Sequence, residues 1–267
     1  MDRKTTEIDE LVVNWHVTEA CNFQCKYCYA AWAKRENESE LWRDEATILK
    51  LLRSLYSFFS PTNDQNPLRA NVHWRALRLS LAGGEPTLLG SRLIDTLTHA
   101  KAIGFRTSLI TNASRSDVVL DASRQLDMLG ISIDSVRPST NVIIGRRNRR
   151  NEQVPLARLL TLVEQVRQKN PEITIKINTV INAANANEDM SELISEVRPQ
   201  RWKIMRMLPK VSNVLAVDQA AFLRFVERHK GFHTRMSVED NTDMEQSYIM
   251  IDPHGRFFQN EPGKSGY

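Results

Sequence analysis

Cysteine is almost absent from this chain. Only Cys21, Cys25 and Cys28 occur among 267 residues. They cannot build a disulfide framework, so a reducing cytoplasm is the expected setting. No apolar run reaches the ~18–20 residues that cross a bilayer. Met1 to Glu10 is polar and mixed in charge, neither a signal peptide nor an amphipathic anchor, and reads as a disordered tail. Charge of one sign is lacking too: 36 Lys and Arg stand against 32 Asp and Glu, net +4. That balance gives no basis for nucleic-acid binding. No internal repeat or low-complexity segment appears. Length suits one α/β domain or two small ones, and a monomer is expected.

What is present alternates. Leu11–Val17, rich in β-branched and aromatic residues, reads as a strand. Residues 44–59 carry Ile48, Leu51, Leu52, Leu55, Phe58 and Phe59 on one helical stripe. A polar loop runs to Asn71, and Leu77–Leu81 alternates as a second strand. Helices are expected at 91–103, 116–128, 154–169, from Met190 to Val197, and from Asp218 to about Lys230. Further strands are expected at Phe105–Thr111, Gly130–Asp134, Ile173–Ile181, Trp202–Leu208 and Ser247–Ile251. Six βα units in series imply parallel strands with right-handed crossovers. Pattern alone leaves a barrel and a doubly wound sheet open.

The polar motifs fall at the C-terminal ends of strands, where barrel enzymes gather their chemistry. Strand one leads into Cys21, Cys25 and Cys28, spaced C-x3-C-x2-C with Tyr27 before the last. Thiolates are the usual protein ligands of iron–sulfur clusters. Three on one loop can hold three irons of a [4Fe–4S] cube and leave the fourth open to a small molecule. Three structural cysteines, or a zinc site completed by His16, are the competing readings. Strand two ends in Gly83-Gly84-Glu85-Pro86. Neither glycine carries a Cβ, so backbone can approach a ligand closely there, and Glu85 can meet an ammonium group. An ordinary βα turn is the plainer alternative.

Asn112 and Ser132 stand at later strand ends, as ligand contacts or loop caps. Lys176 and Asn178 are two apart on strand five and share a face. Inside a barrel a Lys is costly unless it meets an anion; on an outer face it is merely solvated. Arg201, Lys203 and Arg206 on strand six are similarly placed, and converging cations point to a phosphate-bearing substrate. The run Arg146 to Arg150 reads first as a solvated loop. Asn14 and His16 share a face ahead of the cysteines. Tyr248 enters the last strand, as a core or site residue.

These segments together resemble the viperin family of radical S-adenosylmethionine (SAM) enzymes. The resemblance rests on Asn14 to Thr18, Ala82 to Pro86, Ile133 to Ser135, Asn141 to Arg146, Lys176 to Asn182, Glu188 to Met190, Arg201 to Lys203, Phe225 to His229 and Ser247 to Asp252. It implies an α/β partial (βα)6 TIM-like barrel over residues 11–208, with a C-terminal extension over 209–267 that completes a nucleotide site. It also implies conversion of a nucleoside triphosphate to its 3′-deoxy-3′,4′-didehydro form, an antiviral chain terminator. A 5′-deoxyadenosyl radical would take the ribose 4′-hydrogen, and the 3′-hydroxyl would leave as water. By the same resemblance Cys21, Cys25 and Cys28 hold the cluster, fed by an external electron donor. Tyr27, Gly83, Gly84, Glu85, Asn112, Ser132 and Asn178 contact SAM. Lys176, Arg201 and Lys203 hold the triphosphate, Asn14 approaches the nucleotide, and Tyr248 supplies hydrogen late.

The family's animal members begin with an amphipathic helix for lipid surfaces, and this chain instead resembles cytoplasmic prokaryotic relatives, with no membrane contact expected. It also stops at Lys264 to Tyr267, where the family runs on into a closing segment. The competing functions are a nucleotide-cyclising or peptide-modifying radical SAM enzyme, and a non-catalytic cluster-bearing interaction protein. The absence of further cysteines for auxiliary clusters argues against the former.

Overall fold

The parallel strands turn an apolar face toward the helices, while the other face carries polar side chains along with Val12, Ile110 and Met128. The computed structural model describes residues 6–28, 39–210, 212–245 and 247–259. In chain order the elements are β1 (Thr6–His16), α1 (Glu45–Phe59), β2 (Val72–Ala82), α2 (Ser91–Ile103), β3 (Arg106–Thr111), α3 (Ser116–Ala122), β4 (Met128–Ser132) and α4 (Pro138–Ile144). They continue with α5 (Leu156–Lys169), β5 (Thr174–Ile181), α6 (Ser191–Val197), β6 (Arg201–Arg206), α7 (Gln219–Arg228), β7 (Met236–Glu239), β8 (Ile249–Ile251) and β9 (Phe257–Phe258). The described residues form one nine-stranded sheet, ordered β7-β6-β5-β4-β3-β2-β1-β8-β9. Every pairing is parallel except β8 with β9. From β1 to β7, spatial order follows chain order without reversal, so the sheet curls into a half-barrel and is not doubly wound.

Burial follows the two-residue period. Val13, Trp15, Leu79, Leu109, Ile175 and Ile204 are fully buried and join one core with Leu52 of α1, Leu97 of α2, Val166 of α5 and Phe225 of α7. On the opposite, concave face the register aligns Asn14, Ser80, Ser108 and Met128 in one row and Ile110, Gly130, Lys176 and Arg201 in another. No helix among the described residues is long and apolar enough to cross a membrane.

Several boundaries differ from expectation. Residues 6–10, expected in a tail, are the first half of β1 and pair with Val72 to Ala76, which extends β2 five residues earlier than predicted. Glu10 explains the pairing: its carboxylate holds Arg78 and Arg106 on the two neighbouring strands. Residues 1–5 lie outside the described residues. The third helix stops at Ala122, where Ser123 Oγ turns back to Leu120 O at 2.8 Å. The chain then enters β4 two residues early, because Asp127 N pairs with Thr107 O at 2.9 Å. Unexpected α4 has the marks of a short helix, Pro138 at its start and Gly145 at its end with φ +89°. Residues after 208 contribute β7, β8 and β9 to the same sheet. The expected shortfall at Lys264 to Tyr267 lies outside the described residues.

His16 ends β1 with 3 % exposure, its ring edge-on to Phe258 at 5.2 Å. Burial lowers its pKa from 6.5 to about 4, against the opposing pull of Asp252. The unfolded chain therefore takes a proton that the folded chain refuses. His16's contribution to stability should be complete above pH 6.5 and decline as pH falls to 4, by roughly 3 kcal/mol. Urea titrations of wild type and His16→Gln across that range measure the difference; parallel pH profiles for the two would reject it.

Candidate active site

The cysteine loop, residues 21–28, leaves β1 and is clamped on two sides. On one side Gly84 N donates to Thr18 O (2.8 Å) and Glu85 N to Ala20 O (2.8 Å). A Cβ on Gly83 would stand 2.6 Å from Thr18 O, and one on Gly84 2.1 Å from Ala20 O. The two glycines thus admit the backbone that leads into the cysteines. This is a use of the missing Cβ atoms that the sequence reading did not foresee, beside the approach to a ligand. On the other side Gln24 N donates to Gly145 O (3.1 Å) and Lys26 N to Ile144 O (2.9 Å). A Cβ on Gly145 would sit 2.2 Å from Gln24 O. Asn22 completes the clamp, accepting from Asn112 Nδ2 (2.9 Å) and donating to Ser114 Oγ (2.8 Å).

Cys21 and Cys28 are exposed and Cys25 is half-buried. Burial pushes the Cys25 thiol up to about 12. Such thiols ionise when a metal's charge is beside them. Among the described residues no three of His, Cys, Asp and Glu are grouped to hold a single metal ion. Three thiolates on one loop are the donor type of an iron–sulfur cluster. His16, the proposed fourth zinc ligand, is packed in the core.

Beneath the loop lies a buried ionic network. Tyr27's hydroxyl donates to Asp134 Oδ2, and Arg146 Nη1 reaches both Tyr27 Oη (3.0 Å) and Asp134 Oδ2 (3.3 Å). Arg146 also donates to Ser132 O, and Asp134 Oδ1 accepts from Val180 N at 2.9 Å. Side-chain exposure is 9 % for Arg146 and 1 % for Asp134. Arg146 is therefore no part of a solvated loop. Tyr27, expected at the cofactor, has its hydroxyl in this network and its ring against Ile144, Met207 and Leu215.

Glu85 is also placed differently from expectation. It is 1 % exposed, and its carboxylate accepts from Thr87 N (3.1 Å), Thr87 Oγ1 (2.6 Å), Thr111 Oγ1 (2.6 Å) and Asn112 N (2.7 Å). It joins the ends of β2 and β3 and does not reach out toward an ammonium group.

On the concave face the register sets Lys176 beside Gly130 and Arg201, and Asn178 between Ser132 and Lys203. Burial, then the neighbouring charge of Lys203, lowers the Lys176 pKa to about 8. Lys203 Nζ pairs with Glu239 Oε1 (2.7 Å) and donates to Tyr248 Oη (2.7 Å). Tyr248 in turn donates to Glu239 Oε2. Asn14 Nδ2 lies 3.5 Å from the carbonyl oxygen of Ile249, the residue after Tyr248. Arg206 is turned away, to Val217 O (3.0 Å) and Asp240 (3.1 Å).

The model of the radical SAM superfamily matches residues 15–194, from β1 through the cysteine loop into α6. The chain is 42 % identical to an S-adenosylmethionine-dependent nucleotide dehydratase of Pseudoalteromonas ulvae, over 97 % of this chain and 84 % of that protein. It is 40 % identical to one from Psychrobacter lutiphocae, over 97 % and 85 %. The chain belongs to the viperin-like family of radical SAM proteins.

Viperin-like chains share a wider fold. Streptococcus suis SuiB bound to its precursor peptide SuiA superposes with a TM-score of 0.63 at 13 % identity, covering 94 % of this chain and 59 % of SuiB. At that identity the likeness shows the fold alone. A [4Fe–4S] cluster and SAM are the cofactors of the radical SAM superfamily.

For this viperin-like chain, sequence reasoning missed Asp134, Glu239 and Asn22 as parts of the site. Asp134 ended a predicted strand and was available as a signal; Glu239 lies on β7, which no pattern announced. Replacing Asp134 with Ala leaves the Arg146 charge buried without its counter-ion. Urea unfolding should show a loss of roughly 3–5 kcal/mol. The double variant Asp134→Leu/Arg146→Met should regain most of it, and equal destabilisation of single and double variants would refute the pairing.

Proposed function

We propose that this chain converts a nucleoside triphosphate to its 3′-deoxy-3′,4′-didehydro form. The ribose 4′-hydrogen is removed and the 3′-hydroxyl leaves as water. The observation that carries the reading is the gathering of Lys176, Arg201 and Lys203 on one concave face, in a family whose relatives are named nucleotide dehydratases. Cys21, Cys25 and Cys28 are the cluster ligands in this reading. Gly83, Gly84, Asn112, Ser132 and Asn178 form the SAM cradle. Cluster and SAM, when bound, supply a hydrogen-abstracting radical at the strand ends.

The chain's own residues do the rest by position. Glu85 keeps Asn112 at its strand end through the Asn112 N bond of 2.7 Å. Asn178 lies in register between Ser132 on the cofactor side and Lys203 on the phosphate side. Lys176, Arg201 and Lys203 take the phosphates, Asn14 lies toward the nucleoside, and Tyr248 gives the proton with which the 3′-hydroxyl leaves as water, one electron from the external donor completing the product. An external one-electron donor, a monomeric state and a cytoplasmic setting belong to the same reading.

Anaerobic reconstitution with SAM, reductant and each nucleoside triphosphate tests it. Mass spectrometry should find a product lighter than one substrate by one water. SAM consumption with a peptide substrate, and no change in any triphosphate, would sink the reading.

Lys176 supplies a second test. Its pKa of about 8 leaves it charged at neutral pH and neutral above that value. Triphosphate affinity should therefore weaken as pH rises from 7 to 9. Lys176→Ala should bind triphosphate about tenfold more weakly at pH 7 and lose the pH dependence, with iron content unchanged. Calorimetry on both proteins checks this; wild-type affinity in the variant removes Lys176 from the site.

A further inference from the structure

The cysteine loop has an outer side as well as one facing the barrel. Lys26 N and Gln24 N are bonded to the carbonyls of Ile144 and Gly145, so the end of α4 lies directly against the loop. Ile144 is fully buried, packed with Tyr27 and Met207. Its neighbours Val142 and Ile143 face solvent, 38 % and 51 % exposed. Around them Lys26, Arg137, Arg149 and Arg150 are exposed and Arg147 is half-buried. Residues 137–151 contain no Asp or Glu.

Part of the positive charge elsewhere on the surface is neutralised. Arg75, Arg92, Arg115 and Lys230 each pair with a carboxylate. Lys26, Arg137, Arg147, Arg149 and Arg150 form no ion pair among the described residues. A chain of net charge +4 thus concentrates unneutralised positive charge beside the cysteines, with two aliphatic side chains amid it.

We propose that α4 and the turn Arg146 to Arg150 form the docking face for a small acidic one-electron carrier protein. The proposal rests on Cys21, Cys25 and Cys28 holding a reducible cluster, and not on the identity of the nucleotide. Electron tunnelling decays steeply with distance, so a donor must seat against the loop. In the function proposed above the concave side holds substrate and SAM, which leaves the α4 side of the loop for a donor. An apolar centre ringed by charge is the usual anatomy of a transient protein interface. Opposite charge on the partner steers encounter and sets the on-rate. A nucleic acid would also meet the arginines, but phosphate contacts have no use for exposed Val142 and Ile143, and no aromatic residue interleaves the run for base stacking.

The test uses the reconstituted protein and, as probe, a flavodoxin reduced to its hydroquinone. Stopped-flow absorbance follows one-electron reduction of the cluster, with oxidation of the flavin to its semiquinone, in the absence of nucleotide. Arg149→Glu/Arg150→Glu should lower the bimolecular rate constant about tenfold at low salt, a gap that closes toward 0.5 M salt as screening sets in. Ile143→Ser should lower it about threefold at every salt concentration. Reduction by dithionite, too small to need a docking face, should stay within about twofold of wild type. Wild-type flavodoxin kinetics in the double variant overturn the proposal, and so does oligonucleotide binding that the variant loses while flavodoxin kinetics stay unchanged. If the double variant also slows dithionite reduction, the wild-type salt profile decides: a rate that does not fall with added salt overturns the proposal, and one that does fall supports it. Triphosphate turnover with a chemical reductant is untouched by any of these results, so the two readings fail separately.

Discussion

A guanidinium and a carboxylate, both out of water, fasten the cysteine loop to the barrel wall. Desolvating such a pair costs about as much as its attraction returns, so its value is not net stability. Its value is location. Asp134 at the end of β4 holds the backbone of β5 through Val180 N and the cysteine loop through Tyr27. Arg146 closes the set by reaching Tyr27, Asp134 and the Ser132 carbonyl. Three segments far apart in sequence are thereby held in one arrangement, and a loop with few hydrogen bonds of its own becomes a defined platform for three thiols.

The glycines serve the same end from the opposite side. Gly83, Gly84 and Gly145 all stand where a Cβ would strike the chain that carries the cysteines. Close approach of backbone to backbone lets short hydrogen bonds replace side-chain packing. Glu85 extends this rigidity outward by tying the ends of β2 and β3. A site built on strand ends, with its supports locked by buried hydrogen bonds, is held more closely than one on free loops.

Much of this was legible in the sequence, for physical reasons that differ from residue to residue. Strand alternation at Lys176, Asn178 and Lys203 correctly foretold a shared polar face, because a parallel strand covered by helices leaves its other face for polar groups. The cysteine spacing was legible because no competing use of cysteine exists in the chain. The first half of β1 was not, since Thr6 to Glu10 is polar and its pairing depends on Glu10 meeting arginines from two other strands. Nor was the role of Glu85. Its motif marks a tight turn, but whether a carboxylate points outward or inward depends on donors supplied 26 and 27 residues later. Arg146 looked like its three basic neighbours because burial is a property of the fold, not of the run.

The open side of the half-barrel shows how charge and topology combine. β6 and β7 lie at one end of the sheet, β8 and β9 at the other. Lys203 on β6 and Glu239 on β7 both bond Tyr248, which leads into β8. The triad therefore joins two edges that no ladder connects, and it does so among the cations of the concave face. Lys203 is neutralised there by Glu239, whereas Lys176 forms no ion pair among the described residues, and burial lowers its pKa only to about 8. Under the proposed function an entering triphosphate finds Lys176 without an ion-pair partner and competes with Glu239 for Lys203. Winning that competition loosens the Tyr248 contact that spans the opening, so anion binding and the closure of the barrel's open side act on the same three side chains.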